Sequence, residues 1–263
     1  MTRTIQQLFD LTGKTALVTG GSRGLGVQLA QALGEAGAKI MLSSRKAEDL
    51  EESAATLKAA GIAVDWIAAD CAKEADIRML ADETIKRFGH VDILVNNAGA
   101  AWGAPAEDHP VEAWDKVMNL NIRGYFILSQ HIAKQSMIAR RSGRIINVAS
   151  IAGLGGNPPE MTTVAYNTSK GAVINFTRAL GCEWGKYNIT VNAICPGFFP
   201  SKMTVGTLKA LGEEKLAAHA PLLRLGDDED LKGLCVLYAS DAGKHITAQW
   251  LAVDGGVSAV TGG

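Results

Sequence analysis

The chain has 263 residues, 47% of them hydrophobic, with 26 Lys+Arg against 27 Asp+Glu and a formal net charge of −1. That balance excludes a strongly basic nucleic-acid footprint and gives no reason to expect an anionic-membrane partner, while the hydrophobic share excludes wholesale disorder. The length suits one large α/β domain, and 29 glycines, above the usual ~7%, point to many tight turns or close backbone approaches.

Met1 to Asp10 carries Arg3 and Asp10 and no apolar run, so residues 1–10 read as a short N-terminal extension rather than a signal peptide. Lys14 to Thr19 reads as a buried strand and Gly24 to Gly37 as a helix, with Leu25, Leu29, Ala32, Leu33 and Ala36 near 3.6 spacing. A strand at Ala38–Ser43, a charged Ala-rich helix at Ala47–Ala60, a strand at Ile62–Ala68 and a helix at Lys73–Phe88 follow. Val91–Asn96 is the fourth strand, Pro110–Arg140 a helical stretch, Gly143–Ala149 a strand and Val164–Gly185 a helix. Asn188–Ile194 and Gln249–Val253 read as the last strands.

Short apolar strands without strict alternation, each followed by a helix, predict a parallel sheet covered on both faces. The expected architecture is therefore a single doubly wound Rossmann-type α/β domain over residues 1–263, with about seven strands and helices on both faces. A TIM barrel is the other α/β solution, and the glycine loop directly after the first strand argues against it. Cys71, Cys182, Cys195 and Cys235 form no C-x-x-C pair, and the five histidines show no ligand spacing, so four reduced thiols and no metal are expected. No apolar run approaches the ~18 residues that span a bilayer, and a cytoplasmic location is the expectation.

Thr19-Gly20-Gly21-Ser22-Arg23-Gly24-Leu25-Gly26 joins the first strand to the first helix. Glycines there permit a tight turn and a close approach of a phosphate, and the helix N-terminus favours a pyrophosphate through free N–H groups and its dipole. An NAD site carries an acid at the end of the second strand, about 20 residues on, reading the ribose 2′-OH. Here Ser44 occupies that place and Arg45 follows. With Arg23 in the loop, two guanidinium forks could hold a 2′-phosphate, which predicts NADP(H).

Tyr166-Asn-Thr-Ser-Lys170 opens a predicted helix, and its i, i+4 spacing puts Tyr166 and Lys170 on one face. A tyrosine titrates near pKa ~10, so it serves as acid or base at neutral pH only if the phenolate is stabilised; a nearby ammonium is expected to lower the value. By itself this spacing is weak, since such pairs fall on many surface helices.

Taken together, Thr19 to Gly26, Asn96-Asn-Ala-Gly99, Asn121, Ser150, Tyr166-x-x-x-Lys170 and Pro196-Gly197 resemble the short-chain dehydrogenase/reductase family, in its order and near its spacing, from about Leu11 to Gly256. The resemblance implies Tyr166 as general acid/base and Ser150 as the group bonding the substrate oxygen. Lys170 would bind the nicotinamide ribose and lower the Tyr166 pKa, and Asn121 would hold a water in a proton relay. It also implies cofactor contacts from Thr19, Gly20, Ser22, Arg23, Gly24, Leu25, Gly26, Ser44, Arg45, Asp70, Cys71, Asn97, Ala98, Gly99, Pro196, Gly197, Phe199 and Ser201, with Asn96 and Gly99 on the adenine-ribose side. A homotetramer would form through helices near 121–140 and 164–185 and through the C-terminal strand.

Ser150 and Tyr166 lie 16 residues apart, where about 13 is expected in the closest reductases, and the extra residues fall in Gly155–Thr163. That loop is expected over the substrate. Residues 199–220, with Lys202, Met203, Leu208, Leu211 and Leu216, are expected to form a lid. Asn97-Ala-Gly-x-x-Trp102-Gly-Ala104 and Pro196-Gly-x-Phe199-Pro-Ser-x-Met203-Thr204 are similar to 3-oxoacyl reductases of rhamnolipid-type synthesis and to gluconate 5-dehydrogenase-like members. The implied reaction is NADPH-dependent reduction of a ketone, first a 3-oxoacyl thioester carried on acyl carrier protein or CoA. The alternatives are a sugar or polyol dehydrogenase, a reductase of another ketone, or a non-catalytic NADP(H)-binding sensor.

Overall fold

The computed structural model describes residues 2–202 and 204–260. Its strands are β1 (Thr15–Thr19), β2 (Lys39–Ser44), β3 (Val64–Ala68), β4 (Ile93–Asn96), β5 (Gly143–Val148), β6 (Ile189–Pro196) and β7 (Trp250–Val253). They form one sheet in the order β3-β2-β1-β4-β5-β6-β7, every pair parallel. The strands sit within a residue or two of their expected places.

Parallel pairing requires crossovers, and the helices supply them. They are α1 (Ile5–Phe9), α2 (Leu25–Glu35), α3 (Ala47–Ala59), α4 (Glu74–Phe88), α5 (Val111–Met118), α6 (Gly124–Ile132), α7 (Ile138–Arg140), α8 (Val164–Trp184), α9 (Val205–Leu211), α10 (Glu213–His219) and α11 (Lys232–Ala239). Four of these were not foreseen as helices: α9 and α10, within the stretch expected as a lid, and α1 and α11. Helix α1 is announced by a Thr4/Gln7 capping box that sequence reading passed over. Helix α11 lacks a polar face distinct enough to show periodicity, yet Cys235, Tyr238 and Ala239 bury against the sheet. The expected stretch 110–140 is one helical path, α5 to α7, widened by π turns at Asn119–Arg123 and Ala133–Met137.

The core has two main layers, one on each face of the sheet. Along β1, Ala16 and Val18 pack with Leu29 and Leu33 of α2, Leu50 and Leu57 of α3, and Cys235 of α11. Leu17, between them, points the other way to Ile77 and Leu80 of α4, Leu128 of α6 and Leu180 of α8. This is the period of two that strand geometry imposes, with both faces buried, so the strand sequence reads as continuously apolar. Each such leucine contributes roughly 1.5–3 kcal/mol.

The strand order reverses between β1 and β4. The connections that leave the carboxyl ends of these two strands therefore run to opposite faces of the sheet and leave a crevice between them, which is where doubly wound sheets bind ligands.

Candidate active site

The glycine loop leaves β1 at this crevice. Gly20 and Gly24 have φ of +65° and +55°, a region that L side chains rarely adopt. At Gly26 the constraint is contact: an added Cβ would lie 2.2 Å from the Gly20 carbonyl oxygen. Gly24 caps α2 without a side chain to bond its first-turn N–H groups, so these and the helix dipole face the crevice. Leu25 anchors the turn against the core, and the Ser22 carbonyl accepts a bond from Ser53 Oγ at 2.8 Å, tying the loop to α3.

Asn97 and Thr19 build the loop rather than line it. Asn97 Nδ2 donates to the carbonyls of Thr19 and Gly20 (2.9 and 3.3 Å), while Thr19 Oγ1 accepts from the Asn97 and Ala98 N–H groups (3.0 and 3.1 Å). The ends of β1 and β4 are thus stitched together at the reversal point. Asn96 does not line an adenine-ribose side as expected. It is fully buried, and its amide donates to Ser129 and Asn147. The alternation along β4 turns it into the sheet's core.

Ser44 ends β2 half-buried, and Arg45 beside it is exposed. Arg23, also exposed, lies 3.5 Å from Asp49 of α3. Asp70 follows β3 and spends one carboxylate oxygen on the Ala72 N–H at 3.0 Å. Cys71 is buried, and burial pushes its thiol up to about 12. Its side chain packs in the core, so only its backbone can meet a ligand. Phe199 is likewise turned inward, its ring against Gly226. Ser201, by contrast, lies across the crevice from the glycine loop, its Cβ 3.8 Å from where a Gly24 Cβ would stand. Pro196 closes β6, and Gly197 packs so tightly on Asp254 that a Cβ would come within 2.6 Å of that residue's own.

Beyond β5 the chain turns through Ser150, whose Oγ accepts from the Ala152 N–H at 3.1 Å. That bond fixes the hydroxyl and leaves its proton free to donate. Burial pushes the Tyr166 pKa up, and the neighbouring Ser150 hydroxyl pulls it partly back. Lys170, one turn further along α8, is 3% exposed and donates Nζ to the Val148 carbonyl at 2.7 Å. The same Nζ lies 5.7 Å from the ring centroids of both Tyr166 and Tyr125. Burial lowers Lys170 to about 8. The expected lowering of Tyr166 by Lys170 is therefore not what the protein alone achieves, because desolvation dominates both groups.

Asn121 sits in the π turn between α5 and α6, fully buried. Its side chain accepts from Ala100 N–H (2.8 Å) and donates to Ala100 O and Ser169 Oγ (both 2.9 Å). A relay water through this side chain is left only one lone pair. The π turn shifts the backbone bonds there to i→i+5, with the Gly124 N–H donating to the Asn119 carbonyl. Ser169, which donates on to the Tyr166 carbonyl at 2.7 Å, and Tyr125 were both missed in the sequence. Ser169 had a signal, since the helical repeat sets it beside Tyr166; Tyr125 had none. A Cβ on Gly99 would lie 3.4 Å from Asn121 Oδ1 and 3.7 Å from Lys170 Nζ, so Gly99 leaves open the space these groups share.

Of the expected lid, Leu208 and Leu216 are buried against the protein body, while Met203 lies outside the described residues. Loop 155–163 leads directly into the helix that carries Tyr166. It packs beside the first turn of α8, and the carbonyl of Thr162 accepts from the Ala104 N–H at 2.9 Å. Among the described residues, no cluster of His, Cys, Asp and Glu is suited to a metal ion, and no helix is long and apolar enough to cross a membrane.

A crevice with helix N–H groups for a pyrophosphate, beside a Ser, Tyr and Lys set, is suited to hydride exchange between a nicotinamide and a carbonyl. Residues 14–211 match the family model described as short chain dehydrogenase. The chain is 39% identical over 254 residues to the rhamnolipids biosynthesis 3-oxoacyl-[acyl-carrier-protein] reductase of Pseudomonas aeruginosa, covering 94% of this chain and 97% of that protein. It is 33% identical over 255 residues to the gluconate 5-dehydrogenase of Gluconobacter oxydans, covering 95% and 97%. The crystal structure of a gluconate 5-dehydrogenase from Burkholderia cenocepacia in complex with NADP and tartrate superposes with a TM-score of 0.92 at 34% identity, over 98% of this chain and all of that one.

Proposed function

This chain belongs to the short chain dehydrogenase family, and from that premise we propose that it is an NADPH-dependent carbonyl reductase of 3-oxoacyl thioesters. As a family member it is an oxidoreductase acting on CH–OH and C=O groups. The observation that carries the reading is the chain of contacts at the β1/β4 reversal: Gly20 packs on Asn97 and Ala98, and next to them Gly99 faces Lys170 Nζ, at 3.7 Å from where its Cβ would stand. The whole chain acts as one NADP(H)-binding domain, with residues 1–10 as an extension and 199–220 as the substrate lid.

Bound NADPH would supply the hydride. Gly20 to Gly26 would hold the pyrophosphate, Arg23 and Arg45 the 2′-phosphate, Lys170 the nicotinamide ribose, and Ser201 the far side of the groove. Ser150 Oγ donates a hydrogen bond to the ketone oxygen and orients it. Tyr166 then delivers its phenolic proton to that oxygen as it becomes an alkoxide. A pKa raised by burial suits this role, because it keeps the phenol protonated at neutral pH. The ammonium of Lys170, a short distance from the ring, stabilises the phenolate left behind, and Asn121 with the π-turn backbone connects that charge to water for reprotonation.

The thioester reading rests on the 39% identity to a 3-oxoacyl reductase and on the apolar surface of Trp102, 44% exposed and three residues beyond Gly99. A sugar acid is the second reading, favoured by the NADP-bound gluconate 5-dehydrogenase neighbour. Self-association fits the exposed Phe126 on α6, whose ring meets the partly buried Phe176 of α8 edge to face, and the exposed Leu222, Leu223, Leu251 and Val260. A homotetramer is proposed on that basis. Four free cysteines fit a reducing, cytoplasmic setting.

Absorbance loss of NADPH and of NADH with acetoacetyl-CoA and with 5-ketogluconate tests the assignment. Fast NADPH oxidation with the thioester is the expected result. Preference for the sugar acid moves the substrate to the second reading, and a preference for NADH overturns the role given to Arg23 and Arg45.

A further inference from the structure

The residues that lengthen the segment before Tyr166 are not loose. Asn157 Nδ2 donates to Thr163 Oγ1 at 2.9 Å and to Asn167 Oδ1 at 3.0 Å. Thr163 Oγ1 donates to the same Asn167 Oδ1 at 2.9 Å, and Asn167 Nδ2 reaches back to the Gly155 carbonyl at 3.3 Å. One side chain on α8 thus ties Gly155 and Asn157, near the start of the loop, to Thr163 at its end. Thr163 stands at the N-cap of α8, where a threonine hydroxyl ordinarily accepts a bond from the first turn, and no such bond is made. The hydroxyl is diverted to the loop, at the expense of a cap that helices of this length commonly keep.

The clasp also fixes where the loop goes. Val164, Asn167 and Thr168, together with Ala104, Asn157, Pro158 and Met161, border a cavity of about 290 Å³. By the 3.6-residue repeat that helix face is turned well away from Tyr166 and Lys170. The loop is held to the outer side of α8 and, through the Thr162–Ala104 bond, to the segment carrying Trp102. Since residues 155–163 run from the turn after Ser150 to the first turn of α8, fixing them fixes the segment that joins the two reacting hydroxyls.

We propose that Asn167 is a positioning residue that, through this clasp, holds residues 155–163 as a fixed rim of the carbonyl site and so sets which ketones reach Tyr166. The substrate half of the proposal rests on the carbonyl-reductase reading; the clasp itself does not. Asn167 touches neither Ser150 nor Lys170 by any hydrogen bond, and its effect on chemistry is indirect.

Hydrogen exchange of the NADPH-loaded protein, compared between wild type, Asn167→Ala, Asn157→Ala and Asn167→Asp, tests the clasp. Loss of the bonds to either asparagine should speed exchange across 155–163 by about five- to tenfold, the factor that a hydrogen bond's net contribution represents, with the rest of α8 unchanged. Asn167→Asp keeps both acceptor contacts and should recover much of the protection. In ketone reduction, the alanine variants should raise KM by a similar factor with kcat within about twofold, and should narrow the gap between large and small ketones. Unchanged exchange in both alanine variants overturns the clasp. Faster exchange with unaltered KM and substrate range overturns the positioning role. If the wild-type protein reduces no ketone, the functional reading fails instead, and the exchange data still decide whether the clasp exists.

Discussion

Lys170 Nζ lies 2.7 Å from the carbonyl oxygen of Val148, so the last turn of β5 holds the ammonium of α8 in place before any ligand arrives. Because burial lowers this lysine from its ordinary 10.5 to about 8, it is charged below that pH and neutral above it. Its ability to donate to ribose hydroxyls and to stabilise a phenolate falls accordingly. We expect kcat/KM for NADPH, which reports the free enzyme, to decline as pH rises through about 8, by about tenfold per pH unit beyond the break. Lys170→Arg should slow the enzyme but remove the break, since guanidinium stays protonated. A break at the same pH in the variant assigns it to another group.

Replacing Tyr166 with Phe removes the proton donor while keeping the ring. Turnover should fall by about 10²–10⁴, the usual worth of a positioned acid, and NADPH affinity by fluorescence titration should stay within a few-fold. Turnover equal to wild type points to a cofactor-binding protein whose chemistry lies elsewhere.

Arg45 is exposed and makes no ion pair among the described residues, whereas Arg23 shares its charge with Asp49 at 3.5 Å. Arg45→Ala should therefore weaken NADPH more than Arg23→Ala, each by about ten- to a hundredfold in KM, leaving NADH nearly unaffected. Asp49→Asn should strengthen NADPH slightly by releasing Arg23. Equal losses for NADPH and NADH would mean that the arginines do not read the 2′-phosphate.

Gly26→Ala places a methyl 2.2 Å from the Gly20 carbonyl, against backbone that cannot swing aside. The loop must open, and cofactor titration should show affinity reduced by tenfold or more, corresponding to about 1.4 kcal/mol, with far-UV circular dichroism unchanged. Retained affinity would show that the loop tolerates the shift.

Far from the site, Asp92 is 4% exposed and bonded by Arg140 (2.6 Å), the Thr15 N–H (3.0 Å) and His90 (3.0 Å). Burial raises its pKa, but these partners outweigh it and hold the carboxyl below its ordinary 3.8. A carboxylate whose folded pKa is depressed stabilises the fold above its unfolded pKa and loses that contribution as pH falls through the folded value. Asp92→Asn, which leaves Arg140 unpaired, should cost about 2–3 kcal/mol at pH 7. In urea melts its deficit should shrink below pH ~4, as the wild-type carboxyl protonates; a deficit independent of pH would assign the loss to packing.

The alternation of short apolar strands with 3.6-periodic helices was enough to place all seven strands and the parallel, two-faced sheet, because burial on both faces leaves a strand no polar side to display. The glycine loop was legible for a related reason, since a turn that only glycine can adopt is a local property of the chain; Ser150, Tyr166 and Lys170 were legible only through the ordered set of motifs that resembles a family, the one-turn Tyr/Lys spacing being weak by itself. What the sequence could not contain is anything that depends on neighbours remote along the chain. Asn96 was misplaced because its orientation follows from strand alternation against Ser129 and Asn147, which arrive from α6 and β5. The direction of the Tyr166 shift reversed because desolvation is set by everything packed around the ring, whereas a spacing records only one favourable charge. Tyr125, the Val148 carbonyl and the Asn157–Asn167 clasp became visible only once folding had brought their partners within hydrogen-bond or ring-contact range. Local geometry is written in adjacent residues, and the environment that tunes a buried group is written only in the packing.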